Sequence, residues 1–446
     1  MDDYELERIG SDNPAQSVPA AQRAPPGRQR PKYHVESPKK QPGETQKTTI
    51  ADTNLTKYDV GWRRIVRNFS PSWFSVTMGT GIVSLLFAAI PFKTQWLYWL
   101  AVFFLGLNAL LFTCASLASV VRYTLYPEIW TVMIADSTNS LFLGTLPMGF
   151  ATLISAWCTL CIPYWGPWAV TFAWVCWMID SVVSVTVTIS LTVLLISATN
   201  RQNLDRITAV QLLPIAASIV AAGTGARVAE HLPDPNNALG TLIASYIMWG
   251  LSTPLAMTVL VMYYTRLALH KLPPREIVVS SFLPLGPLGM GGYSVTYLGS
   301  IARRVFRETG FFSDIPVAGD VFFVVGTFIA LIMWAFGLTW LCFALASIYK
   351  SRPFPFNMGW WGFTFPLGVM ALSTMEFGRI FPSMFFKVLG TIFAVAVILL
   401  WCVVAVSTAK GAWNGRLFNA PCLKNLPKRD DDVSQDGDEK GTSSQQ

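Results

Sequence analysis

The sequence predicts an all-α protein that crosses the membrane many times, and three observations support this fold class. Of the 446 residues, 52% are hydrophobic and only 13% are charged, whereas about a quarter of the residues are charged in an ordinary soluble domain. The charges concentrate at the two ends of the chain. Between about residues 72 and 410 the sequence is a succession of apolar runs, each close to the ~20 residues that a helix needs to cross a bilayer.

Ten membrane spans are predicted, and their order gives five helical hairpins. An even number of spans places both tails on one side of the membrane. Lys and Arg are more frequent in the loops on that side, which predicts that both tails are cytoplasmic, although the cluster of Arg303, Arg304 and Arg307 opposes this bias. The predicted spans are 72–90, 96–121, 138–162, 166–198, 206–229, 240–268, 280–302, 316–349, 360–378 and 385–409.

The two tails have the composition of disordered segments. Residues 1–61 are rich in Pro, Gln, Lys and Glu, and most of residues 411–446 are similarly polar. Such segments cannot bury enough apolar surface to fold. The predicted organisation is therefore a cytoplasmic tail at 1–61, a ten-helix membrane domain at 62–410 and a second, largely disordered cytoplasmic tail at 411–446.

A Gly-x-Gly pattern near the start of the first span has two possible explanations. A dinucleotide-binding turn is excluded by context, because no strand precedes the pattern, a third Gly is missing and no acidic residue follows at the required distance. The pattern is instead the first of five related copies, spaced by 68, 67, 70 and 82 residues. The copies are Met78-Gly79-Thr80-Gly81, Leu146-Pro147-Met148-Gly149, Leu213-Pro214-Ile215-Ala216, Leu283-Pro284-Leu285-Gly286 and Phe365-Pro366-Leu367-Gly368.

Each copy falls in an odd-numbered span, so the chain contains five copies of a two-helix unit. A Pro inside a helix removes a hydrogen bond, and in lipid an unsatisfied backbone group costs several kcal/mol, so such breaks lie where protein or a watery cavity surrounds them. We therefore predict that the five odd helices form a quasi-five-fold inner ring around a central pore, with the even helices outside. Helix kinks scattered without a common axis are the alternative.

The break residues, and the residue before each break, are predicted to line this pore. Four of the pre-break residues are aliphatic or thioether and one is aromatic, so together they would form an apolar constriction, which can close a pore by dewetting. The alternative is that these side chains only pack against neighbouring helices. The predicted pore-lining residues are Met78, Gly79, Leu146, Pro147, Leu213, Pro214, Leu283, Pro284 and Pro366, together with Phe365.

Three stretches of the sequence resemble a known transporter family. FSPSWFSVTMGTGIVSLL, LPLGPLGMGGYSVTYLG and WWGFTFPLGVMALST are similar to the fungal sulfite efflux pumps of the tellurite-resistance/dicarboxylate transporter family, which also contains fungal malate permeases and plant slow anion channels. The resemblance covers about residues 62 to 410. It implies a ten-helix pore for small anions and a homotrimer in which each subunit has its own pore. A Phe on the ninth helix closes the pore in this family, and Phe365 matches that Phe by its place before the ninth-span break.

The resemblance implies efflux of sulfite or bisulfite across the plasma membrane. A dicarboxylate (malate) permease, or a broader small-anion channel of the same family, is the alternative, because malate permeases share part of the first stretch. Whether the protein is a channel or a proton-coupled carrier stays open.

Three arginines are candidates for a vestibule that attracts anions. Arg227 ends the fifth span, and Arg303 and Arg304 end the seventh. The centres of the inner spans contain almost no ionisable residue, which suits a pore from which the anion must leave quickly. Snorkelling of the three side chains to lipid headgroups is the alternative.

Two acidic residues near the membrane are assigned structural roles. Asp180 lies inside the fourth span, where a carboxylate is expensive; we predict an interhelical hydrogen bond, with proton coupling as the alternative. Glu376 and Arg379 are three residues apart near the end of the ninth span and are predicted to pair on one helix face.

No pattern indicates an enzyme, a metal site or a nucleic-acid-binding surface. The pair Cys158 and Cys161 lies at the end of an apolar run, without a second pair or a nearby His. The net charge of +7 comes largely from basic residues at helix ends and in loops, where a membrane protein has them. We therefore predict no catalytic residue, no metal, no cofactor and no nucleic-acid partner; the fivefold repeat also disfavours a receptor.

Overall fold

The computed structural model describes residues 61–136, 138–197, 204–420 and 423, and this part of the chain is helical without any β-strand. Most of the two predicted tails lies outside the described residues. Ten helices within these described ranges are at least 16 residues long and are numbered α1 to α10 here. They are α1 Phe74–Ala89, α2 Gln95–Leu125, α3 Thr145–Leu160, α4 Pro167–Ser197, α5 Leu212–His231, α6 Pro235–His270, α7 Leu285–Thr309, α8 Ala318–Lys350, α9 Trp361–Ile380 and α10 Met384–Trp413.

The helices pack in a pattern that repeats from one pair to the next. Each odd helix packs against the even helix that follows it, and each even helix also contacts the next odd helix along. Among the odd helices, α1 packs against α3, α3 against α5, α5 against α7, α7 against α9, and α9 again against α1. These contacts are compatible with the two-helix unit inferred from the sequence, which stays a prediction. The predicted pore along its axis stays a prediction.

Burial separates the odd helices from the even ones. The most apolar stretch of α5 is entirely buried, whereas only 22% of the corresponding stretch of α4 is buried. In the other pairs of consecutive helices that both contain such a stretch, the odd helix is likewise more buried than the even helix. The even helices expose large apolar side chains, such as Phe103 and Leu110 on α2 and Val182 on α4. A helix that faces lipid on one side requires this distribution.

Eight helices of the described chain are long and apolar enough to cross a membrane, compared with the ten spans predicted. The two others are α7 and α9. Both are buried along almost their whole length and are rich in Gly, Ser and Thr. These small and polar residues lower the mean hydropathy of both helices, which explains why hydropathy alone does not identify these two.

The breaks in the odd helices differ from those predicted. Each odd helix is preceded by a short 3₁₀ turn, at Pro71–Trp73, Ser140–Gly144, Ala209–Gln211, Val278–Phe282 and Met358–Trp360. Pro147 and Pro214 are the third residues of α3 and α5, and Pro284 immediately precedes α7. A Pro in the first turn removes no hydrogen bond, so the prediction of a mid-helix break was wrong for these three. Pro366 does lie inside its helix, α9.

Two of the small residues after the breaks, Gly81 and Gly368, bring α1 close to neighbouring helices. A methyl group built on Gly81 of α1 would lie 2.6 Å from Asn108 Nδ2 and would collide with Thr152 of α3. One built on Gly368 of α9 would lie 2.5 Å from Ile82 Cγ1 of α1. Glycine therefore sets the distance between α1 and its two neighbours, as small residues do at helix contacts in membranes.

Candidate functional site

A cavity of about 400 Å³ opens where the odd helices begin, and we call it the N-terminal cavity. Three of the five pre-break residues, Met78, Leu213 and Leu283, lie in its wall. Around them the lining combines hydroxyl and amide side chains with apolar ones, and its charged residues are Glu276 and Arg416. The polar lining residues include Ser70, Ser72, Ser75, Asn139, Ser280, Asn357 and Asn419.

The two remaining pre-break residues have different surroundings. Phe365 is only 3% exposed and belongs to the same apolar cluster as the three residues in the cavity wall. Leu146 is half-buried and packs against a separate cluster formed by Phe69, Phe74 and Ala115. Four of the five therefore share one apolar core, and their role in a pore stays a prediction.

Gly286 provides an independent indication of space inside the helix assembly. It is buried, yet a methyl group built on it would meet no atom within 4 Å. Most other buried glycines of the odd helices would instead collide with a neighbour; at Gly289, for example, the methyl group would lie 2.8 Å from Met370 N. Open space beside a buried residue is a gap in the protein interior, and this gap begins one turn beyond the wall residue Leu283.

A second group of polar side chains lies toward the other end of the odd helices, and we call it the arginine–tyrosine cluster. The Arg227 guanidinium lies over the rings of Tyr293 and Tyr297, 5.5 and 5.3 Å from their centroids. Its Nη1 donates a hydrogen bond to Thr159 Oγ1 over 2.9 Å. Four of the five odd helices contribute to the cluster, which consists of Thr159, Arg227, Glu230, Tyr293, Tyr297, Glu376 and Arg379.

Of the other two predicted vestibule arginines, Arg303 has its partner outside this cluster, and Arg304 contacts the cluster through the backbone of Glu230. Arg303 pairs with Asp320 of α8, with 2.7 Å between Nε and Oδ1. Arg304 donates hydrogen bonds to the carbonyl oxygens of Ala229 and Glu230, at the end of α5. Arg227 therefore lies inside the assembly and the other two lie at its edge; whether the three act together stays a prediction.

The structure confirms one of the two assignments for acidic residues. Glu376 and Arg379 form the predicted pair, with Arg379 Nε 3.1 Å from Glu376 Oε2. The hydrogen bond predicted for Asp180 was wrong, because neither carboxylate oxygen has a partner among the described residues. The contact between α4 and α5 uses Trp177 and Thr188 instead, which donate to the carbonyl oxygens of Ala221 and Pro214.

The two tyrosines of this cluster were not predicted from the sequence. Tyr293 and Tyr297 are four residues apart on α7, so both point to one helix face. That spacing is visible in GYSVTY. What the sequence does not show is that α5 places Arg227 against that face.

Comparison with known proteins places these features in a family. The model of the voltage-dependent anion channel family matches residues 68–409, which include all of α1 to α9 and most of α10. The chain belongs to this family. Both the N-terminal cavity and the arginine–tyrosine cluster are built mainly from the matched residues.

Several fungal members of the family are similar to this chain over most of its length. The sulfite efflux pump of Arthroderma benhamiae is 45% identical over 353 residues, which cover 79% of this chain and 93% of that protein. The sulfite efflux pump of Candida albicans is 30% identical over 75% of this chain and 72% of its own length. A malic acid transport protein of Schizosaccharomyces pombe is more distant, at 23% identity over 79% of this chain and 80% of its own.

Proposed function

We propose that this protein exports sulfite or bisulfite through an apolar, Phe-gated pore and so gives the cell tolerance to sulfite. The observation that carries the proposal is the 45% identity, over most of both chains, to a protein named as a sulfite efflux pump. The resemblance noted in the sequence points to the same substrate. The family is described as one of anion channels, which favours transport over catalysis as the function of this protein.

The proposed pore runs along the axis of the odd helices. In this arrangement ten membrane helices form five hairpins, and α1, α3, α5, α7 and α9 make a quasi-five-fold inner ring. The cyclic contacts of the odd helices and the open space beside Gly286 support it. The N-terminal cavity would be one mouth of the pore, with Met78, Leu213 and Leu283 in its wall.

We further propose that Phe365 is the gate of this pore. Its position beside Pro366, inside α9, and its burial in the same apolar cluster as the cavity-wall residues support the assignment. A phenyl ring across a narrow apolar channel would stop hydrated ions, because an ion cannot exchange its hydration shell for apolar contacts without a large cost. A rotation of the ring would open the path.

Positive charge near the other mouth would select anions. Arg227 is the best candidate, because its guanidinium reaches from α5 to side chains of α3 and α7. Arg303 and Arg304 would add to the same vestibule field from its edge. Exposed charges are screened by salt, so their contribution would depend on ionic strength.

The proposal also includes the membrane in which the protein lies and its oligomeric state. We propose that the protein lies in the plasma membrane with both termini in the cytoplasm, forms a homotrimer with one pore in each subunit, and uses no cofactor. The large apolar side chains on the outer helices suit contacts with lipid or with other subunits.

Flux through the purified protein in liposomes, without any added cofactor, tests the proposed function. Liposomes loaded in turn with sulfite, nitrate, chloride and malate are compared with liposomes that contain no protein. We expect release of sulfite and little release of malate. Release of malate without sulfite would overturn the proposal in favour of a dicarboxylate permease, and equal release of all the small anions would indicate a broader anion channel.

A further inference from the structure

The arginine–tyrosine cluster lies well away from the proposed gate. Phe365 and Glu376 are both on α9, and eleven residues of α-helix correspond to about 16 Å along its axis. The gate therefore does not account for the cluster. Charged and hydroxyl groups buried at membrane depth are expensive and are usually functional, so the cluster requires its own explanation.

Within the cluster, Arg227 is the cation that lacks an acidic partner. Among the described residues, Arg379 pairs with Glu376, Arg303 with Asp320 and Arg304 with Glu308. Arg227 instead makes one hydrogen bond, to the neutral Thr159 hydroxyl, and lies over two aromatic rings. These contacts hold the guanidinium in place without neutralising it, so its charge and its other N–H groups remain for a ligand.

The two tyrosines beside Arg227 differ in one respect. The Tyr297 hydroxyl donates a hydrogen bond to the Glu230 carboxylate. The Tyr293 hydroxyl is buried, in a side chain only 3% exposed, and has no hydrogen-bond partner among the described residues. Leaving such a group unsatisfied costs about 1–3 kcal/mol. A donor of this kind next to an unpaired guanidinium is the arrangement that an anion satisfies.

We propose that Arg227 and Tyr293 form a selectivity site for oxyanions of the sulfite class. This inference rests on the proposed function and identifies the residues that distinguish its substrate. A polyatomic anion has several oxygen acceptors, so one oxygen bonds the guanidinium while another accepts from the Tyr293 hydroxyl. Chloride presents one centre and engages the two donors less well. Tyr297, held by Glu230, is a positioning residue that forms the wall behind Arg227.

A site with one arginine outside any ion pair is suited to transport. Three or four converging cations would hold the anion too long, whereas one cation and one hydroxyl favour entry and still permit release. The cluster contains two arginines and two glutamates, since Arg379 pairs with Glu376 and the Glu230 carboxylate accepts a hydrogen bond from Tyr297. The anion is therefore held by direct contact with Arg227 and Tyr293 and not by a large net positive charge.

Tyr293→Phe is the decisive variant, because it removes only the unpartnered hydroxyl. In proteoliposomes we expect the half-saturating sulfite concentration to rise about tenfold, which corresponds to the loss of one hydrogen bond to a charged group. Chloride flux should stay within about twofold. The thermal unfolding temperature should not fall, since the hydroxyl has no protein partner to lose.

Two further variants separate the role of Arg227 from that of Tyr297. Arg227→Lys retains the positive charge but loses the planar set of guanidinium N–H donors, and we expect it to weaken sulfite transport while chloride still passes. Tyr297→Phe loses the hydrogen bond to Glu230 and should lower the unfolding temperature, unlike Tyr293→Phe.

If the half-saturating sulfite concentration of Tyr293→Phe stays within about twofold of the parent value, the inference is overturned and the proposed function is left intact. A parent protein that moves no sulfite would overturn both.

Discussion

Arg303 and Asp320 form an ion pair across the contact between α7 and α8, with 2.7 Å between Nε and Oδ1. The guanidinium also lies 4.8 Å from the centre of the Phe323 ring. An outer helix thus supplies both a countercharge and an aromatic face to a residue that the sequence assigned to an anion vestibule. The pair therefore predicts that Arg303 attracts anions less than Arg227 does.

Substitutions at this pair test that difference. We expect the double variant Arg303→Gln with Asp320→Asn to change sulfite flux by less than about twofold at any salt concentration, because it removes both charges of a neutral pair. Asp320→Asn leaves Arg303 unpaired and should raise flux at an ionic strength of about 0.01 M, with the effect lost at 0.15 M, where the Debye length is about 8 Å. Flux from liposomes at both ionic strengths measures this. Equal losses at both salt levels would indicate structural damage.

The contact between α1 and α3 should be the most sensitive to added volume. Gly81→Ala places a methyl group against Thr152 and Asn108, and forcing an extra methyl into a packed contact typically costs about 1–3 kcal/mol. We expect a lower thermal unfolding temperature in detergent. Gly106→Ala is the matched control, because Gly106 is exposed on α2 and its methyl group would meet no atom within 4 Å. Equal unfolding temperatures for the two variants would contradict the packing described.

Much of this fold is encoded in patterns that sequence reasoning can detect. The apolar runs locate the helices because a bilayer imposes their length and polarity, and the recurrence of Gly79, Pro147, Pro214, Pro284 and Pro366 identifies the two-helix unit. Hydropathy separates α7 and α9 poorly from soluble helices, because their Gly, Ser and Thr residues lower it. The assignment of both helices as membrane spans rests on the repeat and stays a prediction.

The features that were missed depend on how side chains meet across helices. Nothing in the sequence around Asp180 indicates that Trp177 and Thr188 make the contacts to α5 in its place. Similarly, the convergence of Arg227 with Tyr293 and Tyr297 depends on the rotation of α5 relative to α7. The 3₁₀ turns before the odd helices were also missed, since a Pro near a helix start and a Pro inside a helix look alike in sequence.

Gly286 tests the position of the proposed pore. Because a methyl group built there would meet no atom within 4 Å, Gly286→Val should fold with little loss of stability but should narrow the open space. We expect sulfite flux to fall several-fold. Gly250→Val is the control, since Gly250 is exposed on α6 and its surroundings are equally open. Unchanged flux in Gly286→Val, with normal folding, would place the pore elsewhere.

Phe365 is the proposed gate, and Phe363 provides a control on the same helix. Both are buried, at 3% and 6% exposure, but Phe363 packs edge-on against Phe282, with 4.9 Å between the ring centroids. Truncating a packed core phenylalanine typically costs about 3–5 kcal/mol. Phe363→Ala should therefore lower the unfolding temperature strongly without raising anion conductance. Phe365→Ala should instead raise the anion conductance and lower the unfolding temperature only modestly.

The expected result for Phe365→Ala is a resting conductance at least about tenfold above the parent in planar bilayers. Removing the ring takes away the apolar plug, whereas the charges that select anions lie about 16 Å further along α9. The preference for sulfite over chloride should therefore change little, and stability should fall only modestly, because a side chain at a pore fills less of the core. If Phe365→Ala folds normally and conducts no more than the parent, then Phe365 is a packing residue and the gate lies at another position.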